Sequence, residues 1–306
     1  MQIRALGSTP FMVGRIALGC VTFGREIDEA AAFELMDYAV EQGINLFDTA
    51  EAYGEGASER IVGRWLRARG CRDRIVLQTK VTTDFSMAHV REALARSLDR
   101  LQCEQVDVYL MHSYDAGRPI EESLEAMTWS VDAGKAQTIG GSNFTMEQLR
   151  AALAASLARN LAPLRVLQPV YNLVAREAAD GLFRLCAEHG IGITSYSPLG
   201  AGFLTGKYTG DRSAMPAGSR FAIKPAHADL YFHPANFEVL AQLRRLAEAS
   251  GHSLATLAMA WVLRQPAIDS VLTGARDKSH LDNALHCMRH LTELAAVWED
   301  AAHRFA

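Results

Sequence analysis

The chain has 306 residues, 49% of them hydrophobic and 22% charged, with a formal charge of −4 at pH 7. The length fits two ordinary domains or one large α/β domain, and the mild acidity gives no reason to expect nucleic-acid binding or a basic membrane patch. The five cysteines form no CxxC pair, the N-terminal MQIRALGSTP lacks the apolar core of a signal peptide, and the longest strongly apolar run, residues 254–263, is shorter than the ~20 residues a bilayer span needs. The expectation is a cytoplasmic protein with reduced thiols.

In chain order, short β-rich runs alternate with amphipathic helical patterns. The first-half strand candidates are RIALGCVTFG from Arg15, INLFD from Ile44, RIVLQTK from Arg74 and VDVYLMH from Val106. QTIGGSN from Gln137, RVLQPVYN from Arg165, IGITSYSP from Ile191 and DSVLTGA from Asp269 complete a set of eight. Between the first two, Phe33, Met36, Ala39 and Val40 share a helical face that stops at Gly43. Thr145 and Gln148 have capping-box spacing, and a helix opening on Ser253 ends before Pro266.

Eight β–α alternations predict an α/β fold of the (β/α)8 TIM-barrel class, residues 1–306 forming a single domain. The rival doubly wound sheet predicts a GxGxxG turn if it binds a dinucleotide. No such turn occurs; in GEGASE, Glu59 stands where the third glycine belongs. Two segments exceed the eightfold unit. Residues 1–10 could form a small hairpin under the barrel, and residues 197–233, rich in Gly and Pro, are long for a loop, as lids and binding loops are. Two helices follow from Pro234, one more than the barrel requires.

In such barrels the chemistry lies at the C-terminal ends of the strands. There the apolar runs end in Asp48, Lys80, His112, Ser142 with Asn143, Gln168 and Tyr196, and Tyr53 follows Asp48. Each alone reads first as a turn former, a helix cap or a solvated side chain. Asp48, Tyr53, Lys80 and His112 together make chemical sense. An ordinary tyrosine, pKa about 10, is a poor acid near neutrality. An adjacent ammonium favours the phenolate, a carboxylate holds that ammonium, and a histidine can donate to a carbonyl oxygen. The set reads as a proton-delivery device that needs a source of hydride.

These residues resemble the aldo-keto reductases. NLFDTAEAYGEGASE is similar to that family's Asp–Tyr segment, LQTK to its Lys segment and VDVYLMH to its His segment. GKAQTIGGSNF, LQPVYNL, YSPLGAGFLTGKY and LTGARDKSHLDN are similar to its cofactor-binding segments, in the same order. The resemblance implies carbonyl reduction without a metal, with NADPH/NADP preferred and NADH the alternative. It implies that Tyr53 is the general acid, Lys80 its partner, Asp48 the lysine's partner and His112 the carbonyl orienter. It assigns Ser142, Asn143 and Gln168 to the nicotinamide carboxamide and Tyr196 to the ring. Ser197, Pro198, Leu199, Gly200 and Lys207 go to the pyrophosphate, and Arg220, Gly274, Arg276, His280 and Asn283 to the adenosine end. The chain departs from the family pattern at Thr273, often Pro, at His280, often Arg or Gln, and in a one-residue shorter spacing to Asn283.

Phe23, Phe85 and Tyr114, in loops after three strands, are expected to line a pocket for a small-molecule carbonyl substrate. His286 and His290 in HCMRH are spaced like a metal pair but read better as a solvated helix face, and Cys20 as a buried inert thiol. No metal, nucleic acid or membrane partner is expected, and the sequence leaves the oligomeric state open. The resemblance also covers potassium-channel β subunits, which gives a cofactor-binding regulatory subunit as the alternative function. The fold alone would allow an aldolase with a Schiff base on Lys80.

Overall fold

The structure, a computed structural model, describes residues 1–179, 181–301 and 305. The chain opens with an antiparallel pair, β1 (Ile3–Ala5) and β2 (Met12–Gly14). The hairpin expected within residues 1–10 therefore takes its second strand from beyond Pro10. Strand and helix then alternate as β3 (Ile16–Gly19), α1 (Glu29–Glu41), β4 (Leu46–Asp48), α2 (Ala57–Arg69), β5 (Val76–Val81) and α3 (Met87–Leu101). The series continues with β6 (Val106–Met111), α4 (Ile120–Asp132), β7 (Ala136–Ser142), α5 (Met146–Arg159), β8 (Leu164–Gln168), α6 (Leu182–Glu188) and β9 (Gly192–Ser195). A short α7 (Arg220–Ile223) interrupts the long loop. α8 (Pro234–Ser250) and α9 (Leu254–Leu263) precede β10 (Ser270–Gly274), and α10 (Lys278–Arg289) and α11 (Leu291–Ala301) follow it. The eight strands from β3 to β10 close into one parallel barrel, with β10 beside β3. This is the (β/α)8 fold.

The local signals act as their chemistry requires. Asp28 caps α1, Ser253 caps α9, and Thr145 and Gln148 form a reciprocal capping box on α5. α9 ends at Leu263, ahead of Pro266.

Strand alternation sorts the side chains into two sets. Ile16, Leu18, Phe47, Leu77, Tyr109, Ile139, Leu167, Ile193 and Val271 point outward into the core shared with the helices. Ala17, Leu46, Val76, Val108, Leu110, Val166 and Leu272 point inward and pack with Leu6, Phe11 and Val13 of the hairpin. The hairpin is thus the plug in the N-terminal mouth. Arg15, almost fully buried, ties that end together by donating to the carbonyls of Ile268 and Leu263. Higher up, the same inward positions become polar: Asp48, Gln78, Lys80, Ser142 and Gln168, all buried.

Residues 197–233 form an ordered cap whose buried side chains join the core shared by strands and helices. Phe203, Tyr208, Phe221, Tyr231 and Phe232 pack ring on ring with Phe237 of α8, at centroid separations from 4.5 to 6.1 Å. Two short 3-10 turns, Gly200–Thr205 and Pro225–Leu230, carry the chain around these rings.

Gly7, at the hairpin's turn into the barrel, has φ +53°, and a Cβ there would lie 2.2 Å from the Gly192 backbone nitrogen. Gly7→Ala combines left-handed strain with overpacking against β9. It is expected to destabilise the fold by about 3 kcal/mol, read as a lowered denaturant midpoint at unchanged slope.

Candidate active site

Asp48 closes β4, and Lys80 stands on β5 two residues past the position paired with Asp48. Both side chains point into the barrel and are buried, Lys80 completely. Lys80 Nζ lies 2.7 Å from both carboxylate oxygens and donates to the Thr49 carbonyl oxygen at 2.8 Å. It also lies 3.2 Å from the Tyr53 hydroxyl. The pair holds itself in a place where either charge alone would be very costly. Burial pulls the lysine's pKa down, but the charges of Asp48 and Tyr53 outweigh it and leave the ammonium above the ordinary lysine value.

The loop that presents Tyr53 is tied on its outer side. Tyr53 N donates to Ala50 O, and its carbonyl accepts from Ser58 N. Ser58 Oγ bonds Thr49 Oγ1 and donates to Cys20 O, each at 2.8 Å. Glu59, with no exposed surface, accepts from Thr79 Oγ1 at 2.6 Å and Arg100 Nε at 2.7 Å, joining α2 to β5 and α3. Gly56 caps α2 at φ +81°, a conformation a side chain would strain. Gly54 and Gly56 thus shape the turn after the tyrosine.

The Tyr53 phenol corrects one expectation. Lys80 does lower its pKa, but burial acts first and harder, Asp48 adds to it, and the net shift is upward. The site keeps its proton at neutral pH. His112, just past β6, stands edge-on to Tyr53 with ring centroids 5.8 Å apart. Burial, then the Lys80 charge, lowers its pKa from 6.5 to about 4, against the pull of Asp48. It is therefore neutral at pH 7. Its buried Nδ1 has no hydrogen-bond partner among the described residues.

The remaining strand ends form a connected wall. Ser142 Oγ donates to Gln168 O at 2.8 Å, and Gln168 Nε2 to Asp48 Oδ1 at 2.9 Å. Asn143, held at φ +60°, donates through Nδ2 to His112 O and accepts from the Tyr196 hydroxyl at 2.7 Å. Ser197 has φ +55°, and its carbonyl accepts from Asn172 Nδ2. Pro198 is buried, Leu199 half-buried, and Gly200 lies against the Tyr231 ring.

Three cations converge beyond them. Arg276 donates to Gly218 O, and Arg220 lies 3.4 Å from Glu26, which also holds Arg25. Burial, then the Arg276 charge, lowers the pKa of Lys207. Burial and the Arg25 charge lower that of Arg220, Glu26 opposing and Arg276 adding. Such mutually repelling cations could hold an anionic phosphate. Gly274 is exposed at the end of β10. His280 Nδ1 sits 3.2 Å from Asp277, whereas Asn283 accepts from Thr256 Oγ1 at 2.9 Å and so is engaged inside the helix layer.

The substrate-pocket expectation needs correction at two of three positions. Phe23 and Phe85 are buried in the outer core and offer no surface to a ligand; an aromatic in a barrel loop is drawn into the apolar layer when the loop folds back. Tyr114 is partly exposed, edge-on to Phe144 at 5.4 Å. Cys20 faces the outer core, away from the barrel interior, and burial raises its thiol pKa. His286 of α10 and His290, just past its end, have ring centroids 4.5 Å apart, and His290 Nδ1 lies 3.4 Å from Glu293. Among the described residues no cluster of three or more His, Cys, Asp or Glu is placed to hold a metal ion.

Sequence reasoning missed Gln78, whose Nε2 donates to Asp48 Oδ1 at 2.7 Å, although it stands two residues before Lys80 on the same strand face. It also missed Glu26, for which no local pattern exists.

The model of the aldo/keto reductase family matches residues 15–295. The chain belongs to the aldo/keto reductase family. It is 35% identical over 299 residues to the aldo-keto reductase YhdN of Bacillus subtilis, covering 92% of this chain and 87% of that protein. It is 33% identical over 304 residues to the uncharacterized oxidoreductase YrpG of the same organism, covering 93% and 90%. It is also 36% identical over 295 residues to a probable voltage-gated potassium channel subunit beta of Arabidopsis thaliana, covering 92% and 89%. The family is one of oxidoreductases that act on small carbonyl compounds and generally use NAD(P)H. No helix among the described residues is long and apolar enough to cross a membrane.

The depressed His112 pKa has a consequence for stability. The unfolded histidine takes up a proton near pH 6.5, the native one only near pH 4. Stability from this group is therefore full above about pH 6.5 and is lost as pH falls toward 4. In thermal melts over that window, His112→Gln should flatten the decline in Tm with falling pH.

Proposed function

We propose that the protein is an NADPH-dependent oxidoreductase that reduces an aldehyde or ketone to an alcohol, or runs the reverse, with Tyr53 as the general acid. The observation that carries this reading is the buried chain Asp48–Lys80–Tyr53, with a neutral histidine beside the phenol. A bound reduced nicotinamide would supply hydride, and the residues of the chain supply the rest. The neutral His112 imidazole can donate an N–H to the carbonyl oxygen and polarise it. As the carbonyl carbon accepts hydride, negative charge grows on that oxygen. The Tyr53 O–H bond breaks and its proton moves to the oxygen, giving the alcohol. The Lys80 ammonium stabilises the tyrosinate left behind, and solvent returns the proton.

The raised phenol pKa fits this division of labour. Tyr53 stays protonated at rest and gives up its proton only when the oxyanion forms. Ser142, Asn143 and Gln168 offer amide and hydroxyl groups suited to a carboxamide, and Tyr196 a ring for stacking. Lys207, Arg220 and Arg276 suit the phosphates. Two guanidinium forks favour a 2′-phosphate and hence NADPH over NADH. The second reading, a cofactor-binding regulatory subunit, is favoured by the similarity to plant proteins named as potassium-channel β subunits. Turnover of a simple aromatic aldehyde with NADPH separates the two.

Tyr53→Phe is expected to lower kcat for reduction by about 10²–10⁴-fold while NADPH affinity, followed by fluorescence, stays nearly constant. Residual turnover near the wild-type rate would mean another group donates the proton. The alkaline limb of kcat should lie above pH 10, because loss of the Tyr53 proton ends reduction and its pKa is raised. Lys80→Met should depress kcat and move that limb higher, since it removes a charge that lowers the phenol's pKa. Tighter binding of NADH than NADPH would overturn the cofactor assignment.

A further inference from the structure

Three donors converge on the Asp48 carboxylate, and one of them, Gln78, has no part in the function proposed above. Gln78 Nε2 lies 2.7 Å from Asp48 Oδ1, and Gln168 Nε2 lies 2.9 Å from the same oxygen. A carboxylate only accepts hydrogen bonds, so the NH2 of each amide must face Asp48. For Gln78 that orientation leaves Oε1 buried, with no hydrogen-bond partner among the described residues. The side chain has no exposed surface. It points inward from β5, paired in register with Asp48 and two residues before Lys80.

An orphaned buried carbonyl destabilises a fold, and an apolar residue of similar shape would remove it. The inward residues below, Leu46, Val76, Val108 and Val166, are all apolar. Packing alone would extend that layer through position 78. The amide is present for its donor to Asp48, and its orphaned carbonyl offsets part of what that bond contributes to stability.

We propose that Gln78 is a positioning residue for the proton-donating site: its amide fixes the rotation of the Asp48 carboxylate and, through it, the Lys80 ammonium against the Tyr53 hydroxyl. The proposal rests on the carbonyl-reductase reading. Lys80 Nζ contacts both carboxylate oxygens at 2.7 Å, so a turn of the carboxylate carries the ammonium with it. The reach from Nζ to the phenol, 3.2 Å, is the longest link around the ammonium and the first to fail. Gln168 does not duplicate the role. It comes from β8, across the barrel from β4, and under the same reading its amide serves the nicotinamide carboxamide. Gln78 then remains on Oδ1 while Gln168 is engaged elsewhere.

The test uses full-length wild type, Gln78→Met and Gln78→Leu, with NADPH and 4-nitrobenzaldehyde as probes. Thermal melting, NADPH affinity by fluorescence, and KM and kcat are measured for each. The two effects on stability oppose each other, so the expected pattern is a Tm within about 2 °C of wild type, KM and NADPH Kd within about twofold, and kcat lowered about tenfold. Unchanged kcat in a folded variant overturns the proposal. So does a loss of kcat accompanied by equal losses of Tm and cofactor affinity, which would mark a structural role, as would failure of both variants to fold. If Gln78→Met alone misfolds, Gln78→Leu decides. Wild-type protein that binds NADPH but reduces no carbonyl would refute the underlying reading before any substitution is made, and the proposal with it.

Discussion

The site depends on one buried ion pair. Lys80 has no solvent contact and Asp48 almost none, so neither can be hydrated if the other is lost. Partners are therefore required on every side: two amides and an ammonium on the carboxylate, a backbone carbonyl and a phenol on the ammonium. These demands reach β4, β5 and β8 and fix where Tyr53 stands. A buried pair of this kind contributes little net stability compared with apolar packing. Its presence at the barrel's centre makes sense as chemistry, because a desolvated ammonium acts on a phenol more strongly than a hydrated one.

Around that pair the strands keep two sets of side chains apart. Asp48, Gln78 and Lys80 face inward, while the alternate residues Phe47, Leu77 and Thr79 face the helices. The outer set also serves the site. Thr79 anchors Glu59, and Ser58 anchors the Tyr53 loop to Cys20 and Thr49. The loop is thus held from behind by groups on the side away from the Lys80 ammonium.

Much of this was legible in the sequence for a simple reason. In a barrel whose strands are apolar on both faces, a polar residue at the end of an apolar run is conspicuous. Asp48, Lys80, His112, Ser142 and Gln168 all signalled themselves that way. Gln78 did not, because it lies inside such a run and reads as an interruption. Phe23 and Phe85 were misplaced because sequence shows that an aromatic is in a loop but not which way the loop folds. The aromatic cap of residues 197–233 was invisible because its rings follow no helical or strand period. The upward shift of the Tyr53 pKa could not be read either: the lysine's influence follows from residue types, but the depth of burial that overrides it does not.

The bond from Gln168 to Asp48 joins residues 120 positions apart, from opposite staves of the barrel. It cannot form until the ring of strands has closed. A chain that has made its helices and local strand pairs still holds Asp48 without its full set of donors. Completion of the Asp48 donor set is thus tied to closure of the ring rather than to formation of its helices and local strand pairs.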